Sequence, residues 1–142
     1  MRTLLLLALL TSPAHAWQAD QEGRICRLDH AEPGLSVHLT YDPAGPLYSI
    51  TVRAPDPWPE APIFGLWFEG DRPANITTTR HQLGGGGYEI TVTDSGFSNV
   101  LDGLEFNRTA TAFAGHAAVL IQLQGAAAEV AAFRACTESP SA

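Results

Sequence analysis

The side chains most able to do chemistry are concentrated in one stretch of the chain, DSGFSNVLDGLEFN, at residues 94–107. Together with His81, this stretch could supply the triad of a serine hydrolase, with His81 as the base, Asp94 as its partner and Ser98 as the nucleophile. Many such enzymes hold the nucleophile in a strained G-x-S-x-G turn, and the chain has no such motif. A small secreted hydrolase is therefore the alternative hypothesis for this protein and not the leading one.

A pair of carboxylates in the same stretch is the second route to hydrolysis. Glycosidases place two carboxyl groups across the bond that they cleave, and Asp94 with Asp102 or Glu105 could form such a pair. Sequence separation alone does not set the distance between two carboxyl groups. This pair therefore joins the triad as part of the alternative hypothesis.

Neither a metal site nor a nucleotide cofactor is predicted. No two of the five histidines have the i, i+2 or i, i+4 spacing of paired metal ligands. Gly84–Gly87 resembles a phosphate loop only in its glycines, because the loop motif also requires a lysine and the chain contains none. A β-like segment follows the glycines, which indicates a flexible hairpin loop.

The polar stretch also has a structural interpretation, which we prefer. Its apolar residues have the i, i+3, i+4, i+7 spacing of one helical face: Phe97, Val100, Leu101 and Leu104. We therefore expect a short helix near residues 97–102, with Asp94 or Ser95 capping its first turn and Gly103 ending it in a left-handed conformation. The next strand would then start within the stretch. A hairpin with Asp102-Gly103 at its turn is the alternative.

Most of the remaining chain predicts short β-strands. Residues 35–53 alternate apolar and polar side chains around a turn at 42–46 that contains Pro and Gly, which is typical of a β-hairpin. Further strands are expected at 63–69, 76–80, 88–93, 104–113 and 117–124, with 76–80 and 88–93 paired around the glycine run. The strand at 63–69 is apolar on both faces, which is typical of a central strand. The Ala-rich segment 125–136 predicts a C-terminal helix.

Trp58 lies in a connector, APDPWPEAP at residues 54–62, whose four prolines prevent a regular strand or helix. An aromatic side chain on a stiff loop loses little entropy when it binds, so Trp58 is the candidate ligand contact. The competing interpretation, which we favour, makes Trp58 a lid over one end of the core.

The two cysteines, Cys26 and Cys136, lie near opposite ends of the chain and predict one disulfide. The bond would close a loop of 110 residues. The chain-entropy model assigns such a loop about 4–5 kcal/mol of stabilisation. The bond would attach the C-terminal helix to the first strand.

The start of the chain predicts export. A basic residue, an apolar run at 4–10 and the sequence Ala14-His15-Ala16 have the layout of a secretory signal peptide that is cleaved near Ala16. The apolar run is much shorter than the roughly 20 residues of a transmembrane helix, so no membrane span is expected. The signal peptide would occupy residues 1–16, followed by one β-rich domain at 17–138 and a disordered tail at 139–142.

The charge of the chain restricts its partners. After cleavage, seven arginines would face fifteen acidic residues, a net charge of −8, with no lysine. Such a surface repels phosphate backbones, which disfavours a nucleic-acid partner. We expect a monomer that binds an unknown protein or small ligand in the periplasm or outside the cell.

The chain as a whole resembles a group of small exported alphaproteobacterial proteins of unknown function. The resemblance is carried by Trp17, Cys26, PWPEAPIF at 57–64, the stretch 94–107 and AAFRAC at 131–136. Some members carry an automatic label as the helicase component of excinuclease ABC, which is a large cytoplasmic ATPase that needs a phosphate loop and a DNA-binding surface. An exported, acidic chain without lysine does not fit that label. Export, strand content and an Ala-rich terminal helix with a cysteine also make the chain similar to the invasion-associated locus B family, and neither resemblance supplies catalytic residues.

Together these patterns predict a mainly β protein. The expected architecture is a β-sandwich or flattened barrel of about seven short strands, with one short helix near 97–102 and a C-terminal helix, stapled by one disulfide. The leading functional hypothesis is a non-catalytic periplasmic binding or envelope-associated protein.

Overall fold

The computed structural model describes residues 17–138, which form ten strands and two helices. The strands are β1 (Trp17–Glu22), β2 (Ile25–Glu32), β3 (Leu35–Asp42), β4 (Leu47–Arg53), β5 (Phe64–Gly70), β6 (Ala74–Thr78), β7 (Gln82–Gly84), β8 (Glu89–Asp94), β9 (Asn107–Ala114) and β10 (Ala117–Gln122). The helices are α1 (Ser98–Phe106) and α2 (Ala126–Glu138), and Gly85–Gly87 form a 3₁₀ turn between β7 and β8. The predicted signal peptide and the predicted tail lie outside the described residues.

The strands form two antiparallel sheets whose inner side chains share one hydrophobic core. The first sheet has the order β1-β2-β3-β4-β8-β7, and the second has the order β10-β9-β5-β6. Core residues from both sheets are almost completely buried, including Leu39, Val52, Leu66 and Ala112, which are at most 4% exposed. Within residues 17–138 the pairings give two separate sheets and no closed barrel, so the mainly β prediction is confirmed in its sandwich-like form.

The first sheet follows the predicted alternation of side chains. Along β3, Leu35, Val37 and Leu39 are buried whereas His38 is exposed, and a turn joins β3 to β4 as the hairpin predicted. Two strands precede β3 where the sequence suggested one. They form a hairpin at Gly23, whose positive φ of 59° suits a residue without a side chain. Only one residue of β1 is fully buried, so the alternation of apolar and polar residues in its sequence is too weak to predict a strand.

The predicted pairing of 76–80 with 88–93 is wrong. Strand β6 lies in the second sheet beside β5, with Ile76 opposite Leu66, whereas β8 lies in the first sheet between β4 and β7. The glycine run does form a hairpin connection, but it joins the short strand β7 to β8. Between β6 and β7 the chain therefore crosses from one sheet to the other at residues 79–81, and this crossing borders the candidate site.

Strand β5 is central in its sheet, as predicted, but only one of its faces is buried. Phe64, Leu66 and Phe68 are at most 4% exposed, whereas Trp67 is 51% exposed and Ile63, just before the strand, is 45% exposed. One face of an antiparallel sheet can be exposed to solvent, so apolar residues on both faces of a strand do not mean that both faces are buried.

The polar stretch at 94–107 forms helix α1, which is longer than predicted. All four residues of the expected apolar face are buried, namely Phe97, Val100, Leu101 and Leu104. Gly103 does not end the helix but lies inside it against the Phe68 ring, which a Cβ at this position would overlap. The helix continues to Phe106 and β9 begins at Asn107. The predicted end at Gly103, the earlier strand start and the hairpin alternative are therefore wrong.

Helix α2 is held to the rest of the fold by apolar contacts and by the disulfide. Ala126, Val130 and Phe133 are buried, and Cys136 is bonded to Cys26 with the two Cα atoms 6.0 Å apart. The predicted disulfide is confirmed, although its partner strand is β2 and not the first strand. Within residues 17–138, neither helix has the length and apolar character needed to cross a lipid bilayer.

Candidate functional site

A cavity of about 190 Å³ opens between the two sheets, where β6 faces the end of β8. We call it the inter-sheet cavity. Its floor is apolar and comes from β4, β5, β6, β8 and α1: Ile50, Phe64, Leu66, Ile76, Val92 and Val100. Its polar lining includes Arg80, Asp94, Ser98 and Asn99, whose exposed or half-exposed side chains form the mouth.

The cavity is open because the strands on this side of the sandwich are incompletely paired. Strand β6 is the outermost strand of the second sheet in the described part of the chain. Strand β7 pairs with β8 only at Glu89–Thr91, so Val92–Asp94 have no outer partner strand among residues 17–138. The mouth therefore lies between two strand edges, and no strand of residues 17–138 fills the space.

Helix α1 begins at the mouth without a side-chain cap. Neither Asp94 nor Ser95 caps it, and the N-cap residue is Phe97, so the predicted cap is wrong. The first helical bond runs from the Leu101 N–H to the Phe97 oxygen at 2.8 Å. The N–H groups of residues 98–100, all of which line the cavity, thus precede the first intrahelical bond and carry the positive end of the helix dipole.

A salt bridge between Arg80 and Asp94 joins the two sides of the mouth. A terminal guanidinium nitrogen of Arg80 lies 2.9 Å from Asp94 Oδ2, and the side chains are 71% and 36% exposed. Asp94 Oδ1 also accepts the Ser95 N–H at 2.7 Å, which fixes the carboxylate at the end of β8. Exposed ion pairs stabilise a fold by roughly 0–1 kcal/mol, so a ligand can compete for this one.

The hydrogen bonds of the candidate triad are not formed among the described residues. Asp94 and Ser98 both line the cavity, but His81 does not. His81 Nε2 lies 2.9 Å from the Ala61 carbonyl oxygen, so this nitrogen carries the proton and donates it. His81 Nδ1 is buried and has no hydrogen-bond partner within residues 17–138.

The candidate carboxylates belong to different ion-pair groups. Asp102 and Glu105 both bind Arg134 of α2, at 2.7 and 3.2 Å, whereas Asp94 binds Arg80. The α1 carboxylates therefore contribute to the contact between the two helices, and only Asp94 reaches the cavity.

Trp58 has the contacts of a core residue. It is 4% exposed, its Nε1–H donates to the Val52 oxygen at 3.3 Å, and its ring meets Phe64 edge-on with centroids 6.0 Å apart. These contacts are the ones expected if Trp58 is a lid over one end of the core. A separate depression of about 330 Å³ lies between the connector and residues 116–119, and Trp58 forms part of its lining. A ligand contact by Trp58 stays a prediction.

Several charged groups elsewhere in the described chain form ion pairs. The Arg24 guanidinium, which donates to Asp42 at 2.9 Å, lowers the pKa of that carboxyl below its usual range. The pKa of Asp20 is lowered in the same way by Arg27.

Within residues 17–138, no three His, Cys, Asp or Glu side chains are grouped so that they could hold a metal ion.

Sequence patterns did not identify Arg80 or the apolar floor as parts of a site. Ile50, Leu66 and Val92 have the alternation of ordinary core residues, and a single arginine after a strand has no local signature. The stretch that contains Asp94 and Ser98 was the one signal that pointed to this region.

No protein-family model matches the chain, and neither a curated protein nor a solved structure is significantly similar to it. The geometry of the inter-sheet cavity is therefore the basis for a functional proposal.

Proposed function

We propose that this protein is a non-catalytic, exported binding protein of the periplasm or cell envelope, and that the inter-sheet cavity receives an apolar group of its ligand. The observation that carries the proposal is the combination of an apolar floor, continuous with the core, and a polar mouth. Ligand sites in proteins commonly combine an apolar lining with a few polar groups that orient the ligand.

The size of the cavity limits the apolar group. An engineered apolar cavity of about 150 Å³ binds benzene. The inter-sheet cavity, at about 190 Å³, has room for a group of similar or slightly larger size. The expected group is one aromatic ring or a short alkyl chain.

Export is supported by two observations of different kinds. The disulfide is typical of proteins that fold in an oxidising compartment. The amino-terminal sequence has the layout of a signal peptide. Expression in a bacterial host, followed by fractionation and amino-terminal sequencing, should find the protein in the periplasm with Trp17 as its first residue. An uncleaved chain in the cytoplasm would contradict export.

The alternative, a small secreted hydrolase that uses His81, Asp94 and Ser98 or a carboxylate pair, has less support. Its histidine would first have to leave the Ala61 carbonyl and then reach Ser98, which lines the inter-sheet cavity, whereas His81 does not. Hydrolysis of p-nitrophenyl butyrate that is lost in Ser98→Ala, with the fold intact, would favour this alternative over binding.

Benzene binding tests the proposed function directly. Titration of methyl-labelled protein with benzene should shift the methyl signals of Ile76, Val92 and Val100 in a saturable way. Ile76→Phe should abolish the shifts of Val92 and Val100, because the larger side chain occupies the cavity from a half-buried position on an edge strand. Val119→Phe is the matched control, since Val119 is also half-buried and lies on the opposite edge strand of the same sheet.

Two results of this titration would refute the proposal. The first is that benzene shifts none of the cavity methyls. The second is that a folded Ile76→Phe protein binds benzene as well as the wild type and the Val119→Phe control.

A further inference from the structure

We infer that the ligand of the inter-sheet cavity is a small anionic amphiphile, a monocarboxylate whose short apolar tail enters the cavity while Arg80 binds its head group. This inference rests on the proposed function and adds the charge and the size of the ligand. It is carried by the apolar floor together with the distribution of charge at the mouth.

Charge complementarity at the mouth favours an anion. Arg80 and Asp94 are the only two charged side chains that line the cavity in the described chain. The uncapped first turn of α1 adds positive potential from the N–H groups of residues 98–100. One carboxylate therefore faces one guanidinium and a helix amino terminus, which leaves a local excess of positive potential on an otherwise acidic protein.

The hydrogen bonds at the mouth point the same way. Both oxygens of Asp94 already accept hydrogen bonds, Oδ1 from the Ser95 N–H and Oδ2 from Arg80. A guanidinium has five N–H donors, and Arg80 uses one of them in its bond to Asp94. A carboxylate can thus join the exposed side of Arg80 without displacing Asp94, whereas a cation bound at Asp94 would lie beside the Arg80 guanidinium, which repels it.

The position of Arg80 links head and tail. The residue lies at the crossing between the two sheets, two positions after Thr78, which lines the cavity wall. A carboxylate on Arg80 therefore places its first carbons at the mouth and directs the chain toward Ile76 and Val100. The volume of about 190 Å³ limits the tail to a ring or a short chain, so a long fatty acid does not fit entirely within it.

Three probes of matched size, hexanoate, 1-hexanol and hexylamine, differ only in the head group, and a fourth probe, acetate, has the carboxylate without the tail. Isothermal titration of the folded wild-type protein at low salt should give a hexanoate affinity about tenfold higher than that of 1-hexanol, with acetate and hexylamine weaker than both. Raising the salt concentration to roughly 0.5 M should weaken hexanoate binding and leave 1-hexanol binding unchanged, because only the charged head is screened.

Two variants at the mouth should act in opposite directions. Arg80→Gln should reduce hexanoate affinity to that of 1-hexanol, and Asp94→Asn should increase hexanoate affinity by removing a negative charge that repels the head group. Arg108→Gln is the matched control, since it removes the same charge from an exposed arginine outside the cavity lining and should leave hexanoate binding unchanged.

The outcomes separate this inference from the proposed function. If benzene and 1-hexanol bind but hexanoate binds no better than 1-hexanol, the anionic head is wrong and the cavity function stands. If hexylamine binds best, the mouth selects cations and the inference is overturned. If acetate binds as well as hexanoate, the site holds an adventitious ion only, which also overturns it. If no apolar probe binds at all, the proposed function fails together with the inference.

Discussion

Reduction of the Cys26–Cys136 disulfide should lower the free energy of unfolding by about 5 kcal/mol. The bond closes a loop of 110 residues, which is nearly the whole described domain. In the chain-entropy model the stabilisation comes from the unfolded chain, whose freedom the bond restricts. With about 2.1 cal/mol/K of unfolding entropy per residue, the expected fall in Tm is roughly 15–20 °C.

The folded structure should survive this reduction. Helix α2 keeps its buried side chains Val130 and Phe133 and its hydrogen bond from the Ala19 N–H to Glu129 at 2.8 Å. The native state thus loses few contacts, and the effect lies mainly in the unfolded state. Because the reduced unfolded chain is less compact and exposes more surface, the denaturant slope m should increase on reduction.

Urea unfolding monitored by tryptophan fluorescence measures both quantities. Trp17 and Trp58 are 1% and 4% exposed, so their emission reports on the core. Wild-type protein is compared with and without a thiol reductant. The matched control is Cys26→Ala/Cys136→Ala, in which the reductant should change nothing.

A loss of less than about 1 kcal/mol, with an unchanged m, would refute the reasoning. That result would mean that the bond restrains only the end of α2. A large loss with an unchanged m would assign the effect to native contacts instead of chain entropy.

Individual contacts give three further predictions. Gly103→Ala should destabilise the fold by about 1–3 kcal/mol in the same urea assay, because the added Cβ overlaps the Phe68 ring. The control is Gly96→Ala, whose Cβ meets no atom within 4 Å, and it should change stability by less than about 0.5 kcal/mol. Asn107→Ala should cost about 1–3 kcal/mol, because its buried amide donates at 2.8 and 3.0 Å to two backbone carbonyls that would lose their partner; a neutral result would contradict this role. Arg24→Gln should raise the pKa of Asp42 toward its usual value of 3.8 in a carbon-detected NMR titration, because the Arg24 hydrogen bond is the main cause of the lowered pKa. Since the folded pKa is lowered, the pair stabilises the fold above pH 3.8, and this stabilisation is lost as the pH falls through the folded pKa. An unchanged titration of Asp42 would show that Arg24 is not the cause.

Local patterns in the sequence predicted the parts of the fold that local physics decides. Alternation at Leu35, Val37 and Leu39 gave β3 and its hairpin, because a half-buried strand needs that period. Helical spacing gave the buried face of α1. The error at Gly103 has a tertiary cause, since glycine is required there by the Phe68 ring of another strand and not by the end of a helix.

Strand pairing was not predictable in the same way. Segments 76–80 and 88–93 are adjacent in sequence and joined by glycines, which favours a hairpin. The fold instead places β6 in the second sheet and inserts the three-residue strand β7 before β8. All three residues of this short strand, Gln82, Leu83 and Gly84, are exposed, so its sequence has no pattern that distinguishes it from a loop.

The candidate site was only partly visible for a related reason. Asp94 and Ser98 attracted attention as polar residues close together, and both reach the inter-sheet cavity. The floor of the cavity consists of residues that any core would contain. Whether their side chains fill the space between the sheets depends on which strands β6 and β8 each pair with, and the sequence did not predict these pairings correctly.

The disulfide also determines how the protein would carry mechanical load. Tension applied to the two ends of the domain passes through β1, the bond between Cys26 and Cys136 and the last residues of α2, so strands β3 to β10 lie inside a closed covalent ring. At roughly 3.3–3.6 Å per extended residue, the 110 residues of the loop hold about 360–400 Å of chain that tension cannot release. Pulled from its two ends, the domain would act as a nearly inextensible tether in its oxidised form. Reduction of one bond would turn it into an extensible one.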